Sequence, residues 1–515
     1  MQAATRVYER LLRTALAWRA MTVVVCLAVL ALSLVLYSRM ETDFLPQMDD
    51  GGFVIDYRMR PGASLSESNR MLLQAETILR EVPEVESYSR RAGARLALAI
   101  TPPNMGDILV KLRSDRGRAT DEVIADVRRR LTNAFPEVEW EFPAILNDLI
   151  GDLMWAPKPI EVRLYSTDLA YLKAQAPQIE AALSQVPGVV DTFNGLNYAG
   201  NSLRLRLRQI DAERLGFTGD DIASAVNTAM LGRTASTLLI GDRILPVRVK
   251  VDPARIDTAA ALRRLPLRAA NGAVVQLSQV VDVVEESGQL ELRRDDLRQD
   301  VSVTARLEGR DLGSAMREIQ QRLEAQFSFP PGSVEYAGLF EQQQASFRNL
   351  AIVLAMAIVL VFTVLLIEFR SFREPIAIVV GALLALSGTL VALWLSDTSL
   401  NVVSYLGAII GFGVVAKNGI LMLDFVDQLT AEGATITDAL ARSGQRRLRP
   451  VLMTSLAAAF GMLPLAYGLG TGAGMLKPLA IAVIGALVMS VLFSLVVTPA
   501  VYALISRRVV ASSAS

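Results

Sequence analysis

The sequence predicts an α-helical polytopic membrane protein of six spans carrying a large outward α+β domain built from ferredoxin-like βαβ repeats. Three observations lead there. Six apolar runs, at 20–37, 350–368, 375–395, 402–423, 451–468 and 479–505, each approach or exceed the roughly 20 residues that cross a bilayer. Arginines gather only on alternate connections between those runs. The long stretch between the first two runs repeats a strand–helix–strand pattern four times. Composition narrows the function. The 515 residues are 52% hydrophobic with zero formal net charge and a mean hydropathy of +0.36, so no polyelectrolyte character points to nucleic acid as a partner. There is no histidine, and the one cysteine, Cys26, sits in an apolar run. A disulfide framework, histidine-ligated metal and histidine acid–base catalysis are excluded. No GxxxxGK[ST] loop occurs, which removes ATP hydrolysis as the energy source. The chain is expected to be no enzyme and to need no cofactor. Ion gradients remain, and one charge moved through 100 mV supplies about 2.3 kcal/mol.

In chain order, residues 1–19 read as a cytoplasmic segment bearing Arg6, Arg10, Arg13 and Arg19. The first span, 20–38, is too long for a signal-peptide core, and residues 37–39 offer no small-residue cleavage site, so it is a retained anchor. Arg370 and Arg373 separate the second and third runs. Arg442, Arg446, Arg447 and Arg449 separate the fourth and fifth, and Arg507 and Arg508 follow the sixth; the opposite short loops hold only Lys477. This positive-inside pattern puts both termini in the cytoplasm and residues 41–348 outside.

The outward domain has four helix-period stretches: Leu65, Leu72, Ala75 and Leu79; Val123, Val127, Leu131 and Ala134; Leu169, Leu172, Ala176, Ile179 and Leu183; Leu312, Met316, Ile319, Leu323 and Phe327. Each ends in a Pro-containing turn, and each follows an alternating strand such as Phe53, Ile55 and Tyr57 or Ile160, Val162 and Leu164. Pairs of such units make split βαβ subdomains. Pro177 should kink or shorten the third helix. Val186 and Phe329 lie much farther apart than Val82 and Phe135, which places an insertion at roughly 195–290. Within it Leu203, Leu205 and Leu207 alternate, residues 218–230 read as a helix, Val247, Val249 and Val251 as a strand, and Asn271-Gly272 as a hairpin turn.

The membrane chemistry centres on residues 407–425, GAIIGFGVVAKNGILMLDF. Gly407, Gly411 and Gly413 leave one side nearly bare, suited to close helix approach. Lys417 sits mid-span, where a lysine costs roughly 2.5–3.5 kcal/mol, so it wants a carboxylate partner. Asp424 is about 10 Å away along the axis, too far to pair, and reads as an interfacial carboxylate or a relay member. Thr454 could bond its own i−4 carbonyl or join a polar path with Lys417. Arg447 and Arg449 precede Pro450 as anchors or functional groups, and Thr435 with Asp438 marks the start of a cytoplasmic helix before Arg447.

These features resemble the C-terminal half of a resistance–nodulation–division (RND) efflux permease. The matching pieces are Asp43-Phe44-Leu45-Pro46-Gln47, Pro61-Gly62-Ala63-Ser64, Glu368-Phe369-Arg370-Ser371-Phe372, Gly413-Val414-Val415-Ala416-Lys417-Asn418-Gly419-Ile420-Leu421 and Arg447-Leu448-Arg449-Pro450-Val451-Leu452-Met453-Thr454-Ser455. The resemblance runs over essentially the whole chain. It implies porter-type subdomains at 43–145 and at 146–194 with 291–340, a funnel or docking-type insertion at 195–290, a five-helix bundle at 349–505 and a cytoplasmic tail at 506–515. It implies a proton relay at Lys417, Arg447 and Thr454, with Asn418 and Asp424 beside it. It also implies a bacterial inner-membrane trimer with a periplasmic adaptor and an outer-membrane channel, residues 41–348 then being periplasmic.

Permeases of that family have two homologous halves, the first carrying an aspartate pair opposite this lysine. Here the corresponding stretch is Ala416-Lys417-Asn418-Gly419, so the expected partner is an N-terminal half or a full-length permease; the alternative is a truncated, non-transporting fragment. Metal-exporting relatives use methionines in the porter cleft. Met105 fills one such place; the others fall on Gly151 and Phe217, with Met154 out of register. Without histidine or a porter cysteine a soft-metal path is poorly equipped, whereas Phe142, Trp140, Met154 and Trp155 read as an apolar lining or, as aromatic residues more often are, as core. The expectation is export of small amphiphilic compounds, with Met105, Phe142 and Met154 touching substrate and no bound metal; the alternative is efflux of a monovalent heavy-metal cation.

Overall fold

The computed structural model describes residues 2–512 apart from 47, 97–99, 147, 150–157, 253–254, 270, 287, 289–290 and 470–471; the side chains of 2–5, 7, 19–20 and 507–512 also stand outside the description. The chain opens with helix α1 (Gln2–Ala17). Tyr8, Leu12 and Leu16, four residues apart, form its buried stripe, as an amphipathic helix lying on a bundle requires. The Tyr8 hydroxyl donates to the Leu495 carbonyl over 3.1 Å, and Gly444 lies so close to that ring that no side chain fits there. Helix α2 (Arg19–Arg39) follows as the first span.

The first outward unit runs β1 (Gly52–Arg58), α3 (Leu65–Arg80), β2 (Val85–Ala92), β3 (Met105–Leu112), α4 (Thr120–Ala134) and β4 (Glu139–Glu141). Its sheet has the order β2-β3-β1-β4 with every neighbour antiparallel. Phe53, Ile55 and Tyr57, alternating along β1, pack with Ile108 and Val110 of β3 against Leu72 and Leu79 of α3 and Val127 and Leu131 of α4. The second unit starts with β5 (Ile160–Tyr165), α5 (Leu169–Ser184) and β6 (Val189–Phe193). Helix α5 is not shortened by Pro177: the proline is on the solvent side, where water can take the carbonyl that loses its N–H partner.

The insertion then contributes β7 (Ser202–Leu207), α6 (Gln209–Arg214), α7 (Gly219–Met230), β8 (Arg233–Ile240), β9 (Arg243–Val249), α8 (Ala259–Arg263), β10 (Pro266–Arg268), β11 (Val274–Gln276) and β12 (Val281–Glu286). Strand β12 returns to pair with β7. Helix α7 begins at a capping box between Thr218 and Asp221, and the expected Asn271-Gly272 turn joins β10 to β11 with Gly272 at φ +86°. The chain re-enters the second unit through β13 (Arg293–Asp295), β14 (Arg298–Leu307), α9 (Leu312–Gln326) and β15 (Val334–Ala337). Its strands lie β6-β14-β5-β15, the order of the first unit.

The bundle comprises α10 (Leu339–Phe369), α11 (Arg373–Leu395), α12 (Val402–Ala431), α13 (Ile436–Ala466), α14 (Ala473–Leu492), a π-helical turn at Phe493–Val497, and α15 (Thr498–Ser512). Among the described residues six helical stretches are long and apolar enough to cross a membrane. Three boundaries differ from expectation. Helix α10 starts at Leu339, one residue beyond Gly338 and the end of β15, so strand and span are continuous. Helix α12 runs on to Ala431. The cytoplasmic helix capped by Thr435 and the fifth span are one helix, α13, because Pro450 again lies on an exposed side. The glycines of α12 do not share one packing face. A methyl group on Gly407 would meet the Ala482 Cβ at 2.7 Å and one on Gly411 the Ala486 Cβ at 2.7 Å, whereas Gly413 has nothing within 4 Å.

Two expectations follow. Gly388 of α11 and Gly485 of α14 each face the other's carbonyl with no room for a Cβ. Gly485→Ala should cost about 1–3 kcal/mol of stability, as overpacking does, lowering the thermal midpoint in detergent, while Gly413→Ala leaves it unchanged. Asp126 accepts from Arg129, Arg130 and Arg118, and those guanidinium groups hold its carboxyl at about 2 against an ordinary 3.8. A depressed carboxylate stabilises fully above its unfolded value and loses that contribution as pH falls through the folded one. Acid titration of Asp126→Asn should therefore lack part of the stability drop between 3.8 and about 2.

Candidate functional site

Helix α12 is capped by Asn401, whose side chain accepts from the Val403 and Ser404 amides. From that fixed start, Leu406, Ile410, Val414, Lys417, Leu421, Asp424 and Gln428 recur at spacings of three and four on the exposed side. Lys417 lies in the middle of this stripe and forms no ion pair among the described residues. Asp424 is on the same stripe and accepts from the Gln428 side chain over 3.2 Å. Asn418 points inward, 6% exposed, and its Nδ2 has no partner. On α13 the Arg447 guanidinium lies 5.8 Å from the Phe425 ring of α12, with Arg446 at 4.9 Å; the Arg447 Nε is buried without an acceptor. Thr454 is exposed, and its hydroxyl donates to the Val451 carbonyl over 3.1 Å. The structure thus puts Lys417 and Thr454 on outward faces of two packed helices. It gives the threonine a local backbone partner at i−3 rather than the expected i−4.

The second candidate region is the joint between the outward units, where the edge strands β4 and β6 approach. Charged pairs hold it. Arg128 of α4 donates twice to Asp191 of β6, at 2.9 and 3.1 Å, and also pairs with Glu308. The Phe142 amide donates to the same Asp191 over 3.0 Å. Glu141 of β4 pairs with Lys158 and accepts from Arg306 over 3.4 Å. Burial, then the neighbouring Arg306 charge, pushes the Lys158 ammonium well below the ordinary lysine value. Beside the joint Arg58 lies 3.9 Å from the Phe193 ring and donates to Asn197 over 2.8 Å. Here a cleft of about 950 Å³ opens, lined by residues that include Met59, Asn104, Met105, Glu139 and Glu291.

Of the residues expected to touch substrate, Met105 borders that cleft at the start of β3. Phe142 does not: it is 4% exposed in the core of the first unit, beneath Arg128 at 4.9 Å, and meets only a smaller, separate cleft. Its ring completes the apolar face of a short edge strand, which outweighs any lining role. Trp140 is likewise core, tilted against Tyr57 and Phe135. Met154, Trp155 and Gly151 lie outside the described residues, and Phe217 is buried in the core of the insertion. Sequence reasoning missed Met59, whose backbone carbonyl accepts from Asn104, and the Arg128–Asp191 pair, whose partners have no local sequence signal. Asp191 adopts φ +50°, a left-handed conformation that aspartate tolerates better than most residues.

A profile of the AcrB/AcrD/AcrF family matches residues 1–506. The chain is 29% identical over 98% of its length to the cobalt-zinc-cadmium resistance protein CzcA of Cupriavidus metallidurans, covering 49% of that protein. It is 30% identical over 94% of its length to the nickel-cobalt-cadmium resistance protein NccA of Alcaligenes xylosoxydans xylosoxydans, covering 46% of it. The cation efflux system protein CusA of Escherichia coli K12 matches at 27% over 97% of this chain and 49% of its own. A crystal structure of a heavy metal efflux pump superposes with a TM-score of 0.87 at 28% identity, covering 98% of this chain and 52% of that one. The chain spans about half the length of the curated relatives it matches.

Arg128 and Asp191 are both largely buried. Breaking such a pair from one side costs about 3–5 kcal/mol. Asp191→Ala should therefore open the joint and expose it to limited proteolysis, whereas Asp191→Asn, which tolerates the same backbone and keeps a hydrogen bond to Arg128, should do so much less.

Proposed function

The chain belongs to the AcrB/AcrD/AcrF family, and from that premise we propose that it is one half of a proton-driven RND permease exporting a heavy-metal cation across the inner membrane. It is a transporter component and not an enzyme. The observation that carries the energetic part is Lys417. It is a charge in the middle of an apolar helix, on an outward stripe, with no counter-ion among the described residues. A buried cation in that position is stable only when a second set of helices brings a carboxylate to it, which is what a companion half would supply. Protonating that carboxylate frees Lys417, and this change of pairing is the switch. Arg447 lies against Phe425, eight residues beyond Lys417 on α12, and Thr454 is on the exposed side of α13.

The cargo reading departs from the amphiphile expected from the sequence. Of the residues read as a possible apolar lining, Phe142 and Trp140 belong to the core of the first unit, and Met154 and Trp155 lie outside the described residues. The cleft that Met105 borders mixes the Met105 thioether, Asn104, Glu139 and Glu291 with Arg58, Arg60 and apolar residues such as Phe193 and Leu196; the thioether and carboxylates are groups a cation could use, and the cargo reading rests chiefly on the similar proteins. The similar proteins are named for cobalt, zinc, cadmium, nickel or cation resistance and efflux. On this reading the two outward units, each with a strand order suited to the ferredoxin-like type, flank a porter cleft. The insertion serves for docking to an adaptor and an outer-membrane channel, in a trimer with both termini cytoplasmic.

In cells producing this chain with its companion half, Lys417→Ala should abolish metal tolerance at unchanged protein level; tolerance that survives removes Lys417 from the coupling. Met105→Ile should lower efflux of metal from loaded vesicles without altering protein level. Equal efflux by the variant would move the cation path away from this cleft.

A further inference from the structure

The cleft that Met105 borders does not stand alone. A second cavity of about 370 Å³ adjoins it, lined by charged groups that include Arg95, Lys158, Glu161, Arg293 and Asp300. Among the described residues four line both spaces, Arg58, Phe193, Asn197 and Glu291, and they form the wall between cleft and chamber. Three of the four are fixed to the second unit. Phe193 ends β6 opposite Thr304 of β14. Gly195, at φ +77°, lies so close to β14 that a Cβ has no room against the Ser302 carbonyl. The Asn197 side chain donates to the Glu291 carboxylate over 3.1 Å, and the Glu291 amide donates to the Asn197 carbonyl over 2.8 Å.

The fourth, Arg58, is the first unit's share of the wall. It is the last residue of β1, directly opposite Met105 on β3 and Glu139 on β4. Its guanidinium reaches across the joint, 3.9 Å from the Phe193 ring, and donates to Asn197 over 2.8 Å. Glu139, which lines the cleft and not the chamber, is 3.7 Å away on Arg58's own unit. The side chain therefore has a partner on each side. On the ridge it sets a full positive charge over an aromatic face, where the attraction grows as water is excluded. A cation passing from cleft to chamber meets that charge at close range in surroundings where repulsion is stronger than in water. A neutral molecule of the same size meets only bulk.

We propose that Arg58 is a charge gate between cleft and chamber, shut while its guanidinium rests on Phe193 and Asn197 and open when the two units part and it falls back on Glu139. As a step in cation export this rests on the cargo reading above; as a charge filter it does not. Thr304, which lines the chamber and not the cleft, gives the test. The one natural cysteine, Cys26, lies in the first span, so Thr304→Cys in a Cys26→Ser chain reports entry to the chamber, and Ala63→Cys in the cleft gives the reference. The full chain in lipid is treated with cationic 2-aminoethyl methanethiosulfonate and with its neutral 2-hydroxyethyl counterpart, and the ratio of the two rates is read. The thiolate fraction enters both rates alike and cancels. At Thr304→Cys the cation should be disfavoured about tenfold relative to Ala63→Cys. Arg58→Gln, which keeps a hydrogen bond for Asn197, and Arg58→Ala should each recover most of that factor. Arg95→Gln, a chamber residue outside the shared wall, should recover little. Equal ratios at the two cysteines, a ratio that neither Arg58 substitution moves, one that Arg95→Gln moves as far, or a Thr304→Cys thiol that neither reagent reaches in Arg58→Ala overturns the gate. The measurement uses no metal and no companion half, so a failed metal-tolerance assay beside an intact ratio strikes the cargo reading and leaves the gate standing.

Discussion

The structure depends on a short knot at residues 41–43, where three parts of the chain meet. The Asp43 amide donates to the Leu400 carbonyl over 3.1 Å, and the Leu400 amide donates to Glu41 over 2.8 Å. The Leu312 amide donates to the Asp43 carboxylate over 3.0 Å, and the Thr42 amide to Asp311 over 3.0 Å. One side of the knot is therefore the N-terminus of α9, in the second outward unit. The other is the loop that ends in Asn401, the cap of the helix bearing Lys417. Helix N-termini favour carboxylates, and Asp43 and Asp311 serve α9 in that way. Burial nevertheless pushes the Asp43 carboxyl above its ordinary range, against the opposing hydrogen bonds from the Leu312 amide and the Ser399 side chain.

Burial within the bundle is uneven, and the unevenness has a physical meaning. In the most apolar windows of α11 and of the stretch from Ala473 to Ser506, 61% and 67% of residues are buried, against 17% for α13 and 6% for α10. The buried helices carry the glycines that allow close crossing, Gly388 against Gly485 and Gly407 against Ala482. In lipid, association rests on such packing because there is no hydrophobic gain from burying one apolar surface on another. The outward faces of α10 and α2 can meet lipid at no cost. The outward stripe of α12 cannot, because it contains Lys417. The same fold is thus tolerant of exposure on one side and intolerant of it on another.

Much of this was legible in the sequence. Spacings of three and four at Leu72, Ala75 and Leu79, and alternation at Phe53, Ile55 and Tyr57, report burial on one face, and burial on one face is what the sheet-and-helix units require. Lys417 was visible because a lysine amid apolar residues violates a strong rule. What the sequence leaves open depends on surroundings. The shortening expected at Pro177 does not occur, because on an exposed helix side water makes good the missing hydrogen bond. Phe142 and Trp140 could stand for lining or core, because an aromatic residue looks alike in both, and the packing makes them core. Arg128 and Asp191 lie far apart in the chain, and nothing local distinguishes them from solvated surface charges; only the packing of whole units brings them together.

The two outward units are attached to the membrane in different ways, and this decides which can move. The second unit is tied twice. The knot fixes α9 to the start of α12, and α10 issues directly from β15, with the Leu339 amide donating to the Lys158 carbonyl over 3.0 Å. The first unit packs no strand or helix extensively against a span among the described residues, and it meets the second mainly through ion pairs and the cleft-side contacts of Arg58. Ion pairs across a desolvated joint fix geometry without adding much net stability, because the cost of desolvation offsets the attraction. Lys158 belongs to both systems: its backbone holds the first turn of α10 and its side chain reaches Glu141 across the joint. A displacement of α10 therefore acts on the Lys158–Glu141 pair as well as on the core of the second unit, in which Phe340 of α10 is buried. The joint and the core of the second unit are thus tied to the same turn of α10, and the cleft beside Arg58 lies next to that joint.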